Sequence, residues 1–472
     1  MERLTGLDAS YLYMETPTLH MHTLKISVLD PSTSPGGYSF ARVKEELALR
    51  MHLLPPFRRR LVSVPFGLHH PLWIEDPDFD LDWHLHRVAA PAPGGQREFC
   101  ELISDFAGHQ LDRRRPLWEI WVVEGLEGGR VGFVAKLHHS VADGVAAAAL
   151  LANVLETSPD SRAPLPAVDQ WHGEAVPSRA RLAAVALIDA IRGAGQVPDL
   201  VRRTARGMRA ARRVRASHPD VPTATPLNTP KTRFNGSITQ HRIFATTTMP
   251  LDEVKAVRKA FGVTVNDVVL GMCAGALLRY LDDHGEHPEK PLLAGVPVSV
   301  SGEPEDGPRL SGNAVSNMFI SLRTDIADPI ERLQAIHESA MVAKEVHKAL
   351  GADMLAEWSE FYPPRPFSAW MRLYSRLRLA DYHAPPQNVI ISNVPGPAEP
   401  LYIAGAKLVE LYSVGPILEG IGLNITVWSY LGTLYVGLIS CPELMGDLWD
   451  LAALLPQALA ALTAAAALAT PA

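Results

Sequence analysis

The residues best suited to chemistry lie in the segment VGFVAKLHHSVADGVAAAALL, which runs from residue 131 to residue 151. Two histidines, His138 and His139, stand side by side, and Asp143 and Gly144 follow after a gap of three residues. A histidine titrates near neutral pH and can accept a proton from a hydroxyl or an amine. The pair is therefore a candidate general base, a candidate metal site, or two core histidines that happen to be neighbours.

Strand alternation separates the two histidines. The odd-numbered apolar residues of 131–137 are predicted to share a face with His139, whereas His138 points to the opposite face with Val134 and Lys136. Adjacent strand positions are poorly placed to bind one ion, and no third and fourth ligand follow at a familiar spacing. We therefore expect no metal at this site, which leaves a general base or a structural pair.

Asp143 and Gly144 precede the alanine-rich run VAAAALLANVL, which predicts a buried helix. A carboxylate is favoured at a helix start by the dipole and by the free N–H groups. Asp143 is thus either a simple cap or also a residue that holds the geometry around His139. Gly144 is expected to allow close packing or an unusual backbone angle.

The chain shows no evident protein nucleophile to pair with a histidine base. It has no G-x-S-x-G elbow of the serine hydrolases, and none of its three cysteines has a suggestive neighbourhood. A base without a protein nucleophile suggests that the substrate supplies the attacking atom. Direct acyl transfer from an activated ester to an acceptor alcohol fits this pattern.

The bulk composition is that of an ordinary globular protein. The 472 residues are 47% hydrophobic and 20% charged, and the net charge of -7 gives no global reason to expect nucleic acid as a partner. The cysteines Cys100, Cys273 and Cys441 are too widely spaced for a disulfide framework or a zinc site and fit a reducing cytoplasm. The N-terminus lacks the basic start and apolar run of a secretory signal.

Three regions are predicted to position these residues. Residues 1–160 read as mixed strand and helix, and residues 119–125 and 131–137 are expected to form an antiparallel hairpin. Residues 161–238 read as a linker, and residues 239–472 as a second mixed domain. The sequence therefore predicts two α+β halves with the histidine pair in the first.

Two segments outside the motif bear on membranes. Residues 178–217 hold ten arginines and two acids, a local charge of 10 − 2 = +8, which is typical of a helix on anionic lipid or of a solvated linker helix. Residues 451–472 carry no charge and are long enough to span a bilayer. Because half of these residues are alanine and two are proline, we expect a buried or surface helix rather than a span.

The segment HHSVADG resembles the HHxxxDG motif of the bacterial wax ester synthase/diacylglycerol acyltransferase family. That family belongs to the chloramphenicol acetyltransferase-like, CoA-dependent acyltransferases. The likeness covers nearly the whole chain, because further segments follow in the family's order: LDASYLYMETPTLHMHT, PPFRRRL, DFDLDWHLHRV, RPLWEIWVVEGL, TVNDVVLGMCAGALLRYL, GNAVSNM and ISNVPGP. These ordered matches are more specific than the seven-residue motif alone.

The resemblance implies a fold and roles for the motif residues. It implies an α+β fold of two chloramphenicol acetyltransferase-like domains with mixed sheets and an active-site channel between them. His139 would be the general base, and Asp143, with Gly144 beside it, would mainly hold the site geometry. His138 would have a supporting role, because related enzymes need only the second histidine.

The resemblance also implies four substrate-binding residues. Trp118, by default an apolar core residue, would lie near the acyl-binding surface. Asn266, by default part of a helix start, would face the site and could stabilise an oxyanion. Ser392 and Asn393, which equally suit a turn, would lie at the site edge. The channel would bring residues 139, 266 and 393 together.

The implied activity is acyl-CoA-dependent O-acylation that makes triacylglycerol from diacylglycerol, wax esters from long-chain alcohols, or both. Acyl-CoA would be a co-substrate, and no bound cofactor is expected. Because these lipids partition to membranes, we expect a cytoplasmic protein attached peripherally to the inner membrane or to lipid inclusions, with no nucleic-acid partner. The alternatives are a related acyltransferase that esterifies a different lipid or small-molecule alcohol, and a non-catalytic lipid-binding or lipid-droplet protein.

Overall fold

The computed structural model describes residues 1–160, 172–221, 225–299, 309–351 and 353–469. Its helices, in chain order, are α1 (Gly6–Met14), α2 (Phe40–Arg50), α3 (Gln96–Gly108), α4 (Gly144–Ala152), α5 (Arg179–Ala194), α6 (Val197–Ser217), α7 (Leu251–Phe261), α8 (Val265–Asp283), α9 (Pro329–Leu350), α10 (Met354–Ser359), α11 (Pro364–Arg376) and α12 (Leu448–Ala469). Its strands are β1 (Glu2–Arg3), β2 (His22–Asp30), β3 (Arg59–Val62), β4 (Leu72–Glu75), β5 (Leu85–Ala89), β6 (Trp118–Glu124), β7 (Val131–His138), β8 (Ile243–Pro250), β9 (Leu293–Ser299), β10 (Val315–Ser321), β11 (Val389–Val394), β12 (Tyr402–Ile403), β13 (Ala406–Val414), β14 (Leu423–Tyr430) and β15 (Thr433–Ser440).

The first sheet holds the histidine pair and has the strand order β12-β13-β2-β7-β6-β5. All its pairs are antiparallel except β5 with β6. The central strand β7 is buried along its whole length, which is why its sequence is nearly continuously apolar. The predicted hairpin is confirmed, because β6 and β7 pair antiparallel with Trp118 opposite Leu137.

The second sheet has the order β10-β9-β11-β14-β15-β8 and is mixed, because β11 runs parallel to both of its neighbours. Helices α8, α9 and α12 pack on its outer face around one apolar core. Helix α12 is long and apolar enough to cross a membrane by composition, and a stripe from Leu448 to Leu462 is buried in that core. The predicted α+β class with mixed sheets is confirmed.

The two sheets meet through β13 of the first, which packs against β14 and β15 of the second. At this contact the ammonium of Lys25 on β2 lies 5.0 Å from the ring centroid of Trp428 on β14. Helix α3 of the first half packs against β8 of the second. The inner face of the second sheet is therefore turned toward the first.

The predicted domain boundary at residue 239 does not separate the two sheets. Strands β12 and β13, which lie at residues 402–414, complete the first sheet although they belong to the C-terminal part of the chain. Strand β13 pairs with β2 from Lys407 opposite Asp30 to Val414 opposite Leu24. This long-range pairing gives no local sequence signal, so a division by composition cannot find it.

The predicted linker 161–238 contains two helices that pack on the domains. Leu182 and Ala186 of α5 pack on the small sheet β1-β4-β3. Helix α6 packs along α9, with Leu200, Gly207 and Ala211 buried. Gly207 is required there, because a side chain would collide with the backbone of Leu350 at 2.6 Å.

Candidate active site

His139 lies immediately after β7, where the chain leaves the first sheet toward α4. Its backbone N–H donates to the carbonyl of Met21 at 2.7 Å, which continues the pairing of β7 with β2 by one more bond. Its ring packs against Tyr11 of α1 with the centroids 4.4 Å apart. The imidazole is half-buried, so it is held by neighbours and still reaches solvent-accessible space.

Asn313, from the segment just before β10, determines the tautomer of His139. The Asn313 amide nitrogen donates to Asp8 Oδ1 at 2.7 Å and to the carbonyl of His139 at 2.7 Å, which occupies both of its hydrogens. Its Oδ1 lies 3.0 Å from His139 Nδ1 and can only accept. Nδ1 therefore carries the proton, and Nε2 has the free lone pair that a general base needs.

The electrostatics keep His139 neutral at physiological pH. Burial lowers the pKa of His139 to about 4, although the charge of Asp143 and the Asn313 hydrogen bond oppose this shift. Burial also raises the pKa of Asp8 to about 6, against the hydrogen bond from Asn313. At pH 7 the imidazole is therefore unprotonated, which is the state that a general base must have before it accepts a proton.

Asp143 joins the histidine loop to the second half of the chain. One carboxylate oxygen caps α4 by accepting from the N–H groups of Val145 at 3.1 Å and Ala146 at 2.9 Å. The other accepts from the N–H of Ala314 at 2.9 Å and from the Arg309 guanidinium. These bonds fix the segment that carries Asn313, so Asp143 acts on His139 through position rather than through contact with its ring.

Gly144 has neither of the two roles expected of it. Its backbone does not adopt a positive φ, and a Cβ built on it would meet no atom within 4 Å. The reason is its position as the first residue of α4, where the chain is already helical and Val145 beside it is 50% exposed. Gly144 instead leaves open space next to the histidine loop.

His138 lies in a buried polar cluster on the opposite face of β7. Its Nδ1 accepts from Ser140 N–H at 3.1 Å, and its Nε2 lies 3.8 Å from a carboxylate oxygen of Glu15. Burial opposes the ionisation of Glu15, but His138, His22 and Arg113 outweigh it and hold the Glu15 pKa well below its usual range. His138 is only 1% exposed, so its ring cannot contact a substrate and instead supports the loop.

Trp118 is buried in the core of the first half. Its side chain is 1% exposed, and the indole N–H donates to the carbonyl of Phe57 at 2.7 Å. The ring is stacked between Phe57 and His84, with centroids 4.4 and 4.5 Å away. This apolar stack in the core of the first half explains the position of Trp118, as the default interpretation of the sequence expected.

The residues of the second half that were predicted to line the channel lie on different faces of the second sheet. Ser392 on β11 pairs with Thr426 and lies on the inner face, toward the first sheet. Asn393 alternates to the outer face and pairs with Val427, which is in the core under the helices. Asn266 lies in the first turn of α8, a helix that packs on that outer face. The expected meeting of residues 139, 266 and 393 stays a prediction.

The whole chain is similar to proteins of one known family. Residues 4–269 match the family model of the wax ester synthase/diacylglycerol acyltransferase catalytic domain. The chain belongs to the wax ester synthase/diacylglycerol acyltransferase family. Residues 311–463 match the C-terminal domain of the same family. The protein is therefore an acyltransferase, and a purely lipid-binding function without catalysis does not describe the family.

Relatives and solved structures agree with the family. A Mycobacterium tuberculosis protein named for diacylglycerol O-acyltransferase activity is 41% identical over 464 residues, covering 97% of this chain and 89% of that protein. The wax ester synthase/diacylglycerol acyltransferase of Marinobacter aquaeolei VT8 is similar at 28% identity and a TM-score of 0.66, with 98% and 100% of the two chains covered. A starter condensation domain of rhizomide synthetase, solved with C8-CoA, shares the fold at 13% identity and a TM-score of 0.55, with 98% and 94% covered.

Four residues of the acyltransferase site were not assigned a role from the sequence. Asp8, Tyr11, Arg309 and Asn313 contact His139, Asp143 or each other across about 300 positions of sequence. Asp8 and Asn313 lie in the segments LDASYLYMETP and GNAVSNM, which already resembled the family. Polar residues in such ordered matches are the signal that could have identified them.

We predict that Asn313→Ala lowers kcat by about tenfold and also moves the acid limb of the kcat profile to lower pH. The hydrogen bond that His139 donates to Asn313 raises the pKa of His139, so its loss lets that pKa fall below about 4. A pH–rate profile of wild type and Asn313→Ala measures both effects. Asn228→Ala, at an exposed asparagine outside the site, is the matched control. An unchanged acid limb in Asn313→Ala would contradict the assignment.

Proposed function

We propose that this acyltransferase moves long-chain acyl groups from acyl-CoA to the hydroxyl of diacylglycerol, of long-chain alcohols, or of both. The products would be triacylglycerol and wax esters. One observation carries the proposal: the bond between His139 Nδ1 and Asn313 Oδ1 leaves Nε2 of His139 free to accept a proton. The relatives named for these two activities and the C8-CoA bound by the rhizomide condensation domain support the choice of donor and acceptors.

The proposed reaction has two steps without a covalent enzyme intermediate. His139 Nε2 takes the proton of the acceptor hydroxyl while its oxygen attacks the thioester carbonyl, and a tetrahedral intermediate forms. The carbon–sulfur bond then breaks, and the imidazolium returns the proton to the CoA thiolate. Acyl-CoA is a co-substrate, and the step needs a base and positioned reactants but no bound cofactor.

The candidate nucleophiles of the chain support direct transfer. Cys100 and Cys273 are buried, and burial raises the pKa of each thiol to about 12, so neither forms a thiolate near neutral pH. Ser140 bonds to His138 Nδ1 at 2.7 Å, which superficially resembles a catalytic pair. Its side chain is fully buried at 0% exposure, so it cannot meet a thioester.

The proposed function is tested with purified protein and palmitoyl-CoA. We would supply diolein, hexadecanol or no acceptor, and follow both the free CoA and the lipid products. Ester formation with either lipid acceptor supports the proposal and identifies the preferred one. CoA release without ester product, or ester formation only with a small water-soluble alcohol, would overturn it.

We further propose that α6 attaches the enzyme to the cytoplasmic surface of the inner membrane or to lipid inclusions. Arg202, Arg206, Arg209 and Arg213 recur at helical spacing and form one exposed stripe. Among the described residues, none of these four arginines forms an ion pair. The stripe lies opposite the buried Gly207 and Ala211, so it is free to meet anionic lipid.

Charge reversal of this stripe is expected to weaken vesicle binding by about 100-fold, since each arginine near an anionic surface contributes roughly 1 kcal/mol. The variant combines Arg206→Glu, Arg209→Glu and Arg213→Glu, and binding is followed by co-sedimentation with phosphatidylglycerol vesicles at low salt. The matched control reverses the exposed Lys255, Arg258 and Lys259 of α7. Equal binding of both variants and wild type would refute the assignment.

A further inference from the structure

The outward face of helix α11 is apolar and is left uncovered by the described residues. Trp370, Leu373 and Leu377 recur at helical spacing, form one apolar stripe, and are 52%, 46% and 53% exposed. The inward face packs on α1, where the ring centroid of Phe367 lies 6.4 Å from that of Tyr13. Large apolar side chains that are exposed together, rather than singly, indicate an interaction surface.

A basic stripe runs beside the apolar one. Arg365, Arg372 and Arg376 share one side of α11 and are all exposed, and the helix contains no acidic residue. Within the described ranges none of the three forms an ion pair, and the next acid along the chain, Asp381, is paired with Arg378 at 2.8 Å. Unpaired positive charge next to an exposed apolar stripe matches an anionic lipid surface.

A turn from the N-terminal half of the chain extends this surface. A Cβ built on Gly67 would lie 2.8 Å from Cγ of Arg365, so the turn touches the start of α11. Next to it, Phe66 is 68% exposed and has a positive φ of 59°. A bulky residue at positive φ is strained, and such strain is concentrated at functional sites. Exposed apolar side chains from two distant segments therefore lie beside the same helix.

We propose that α11 and the adjoining turn enter the interfacial layer of an anionic lipid surface. Trp370, Leu373 and Leu377 insert among the acyl chains, and the three arginines meet the lipid phosphates. This inference rests on the proposed peripheral attachment, because it names the face that enters the lipid, whereas the stripe of α6 attracts it. Helix α1, whose Tyr11 contacts His139, lies directly beneath α11 and is thereby brought next to the lipid.

The first test removes the apolar stripe by replacing its three residues with alanine. Binding to phosphatidylglycerol vesicles is measured by co-sedimentation in about 1 M sodium chloride, where a Debye length of about 3 Å suppresses attraction by α6. Binding should weaken by about 30-fold, because three half-exposed apolar side chains no longer leave water. The control variant truncates apolar residues that are at least 49% exposed on α2, α9 and α12: Leu49→Ala, Met341→Ala and Leu468→Ala. Equal binding of the two variants, or no binding of wild type, would overturn the proposal.

The second test detects insertion directly by fluorescence. Vesicles with brominated acyl chains are expected to quench part of the tryptophan emission of wild type, and Trp370→Phe, which keeps an apolar ring, should show clearly less quenching. Trp83→Phe removes a tryptophan of similar exposure, 57%, from the first half and should be quenched like wild type. Quenching of Trp370→Phe equal to that of wild type would contradict insertion of α11.

Two further outcomes separate this inference from its alternatives. Without lipid, the protein should sediment at the same rate with and without the apolar stripe, and a dimer that the three alanines dissociate would assign the face to a second copy and overturn the proposal. Neither vesicle test uses acyl-CoA, so failure of acyl transfer leaves it intact. If reversal of the α6 stripe has no effect at low salt, that attachment fails, and the quenching still decides α11.

Discussion

Replacing His139 by alanine is expected to lower kcat for ester formation by roughly 10²–10⁴-fold, the usual contribution of a general base. The variant loses the imidazole that accepts the hydroxyl proton, while Asn313 keeps its bonds to Asp8 and to the backbone carbonyl of residue 139. The KM for palmitoyl-CoA should change little, because the base acts on the acceptor. Steady-state CoA release with diolein or hexadecanol measures both constants.

The neighbouring histidine provides the control for this experiment. His138→Ala removes a fully buried ring that bonds to Ser140 and faces Glu15, so we expect a loss of stability with a smaller loss of kcat. A His139→Ala protein that is folded and retains wild-type turnover would show that another group is the base. A larger kcat effect at His138 than at His139 would reverse the two assignments.

Asp143→Ala is expected to lower the stability of the protein by about 3 kcal/mol, through the lost cap of α4 and the unpaired N–H of Ala314. The carboxylate is 3% exposed, so water cannot replace it. Because its second oxygen holds the segment with Asn313, kcat should fall as well. Thermal unfolding and steady-state kinetics on the same sample measure the two effects.

Asp199→Ala is the matched control, because Asp199 is an exposed carboxylate paired with Arg203 on α6, and such surface pairs contribute little. Asp143→Asn retains the shape and an oxygen for the cap, so its unfolding midpoint should lie between those of wild type and Asp143→Ala. An unfolding midpoint of Asp143→Ala within the range of the Asp199 control would refute the proposed link between the two halves.

Much of the architecture follows from local pattern. The alternating residues of 119–125 and 131–137 predicted the hairpin of β6 and β7, and the alanine-rich run after Asp143 predicted α4. The placement of β13 in the first sheet could not be predicted, because it depends on a pairing with β2 almost 400 residues away. Long-range pairing is decided by packing and not by the propensity of the strand itself.

The motif identified His139 and Asp143, but not how they are held. Asn313 and Arg309 come from the second half of the chain, and only folding places them beside the histidine loop. Asn393 and Asn266 follow the family's order, but strand alternation places Asn393 on the outer face of its sheet, and α8, whose first turn holds Asn266, packs on the same face. A motif indicates which residues matter more reliably than it indicates what they touch.

The central claim is that the acceptor hydroxyl attacks the thioester directly, with His139 as the base. Rapid mixing of enzyme with palmitoyl-CoA alone, followed by diolein, tests it most directly. The account predicts no burst of CoA before the acceptor arrives, and then CoA and triacylglycerol in equal amounts, with no acylated protein in the mass spectrum. A burst of about one CoA per enzyme without acceptor, together with a palmitoylated protein, would contradict it.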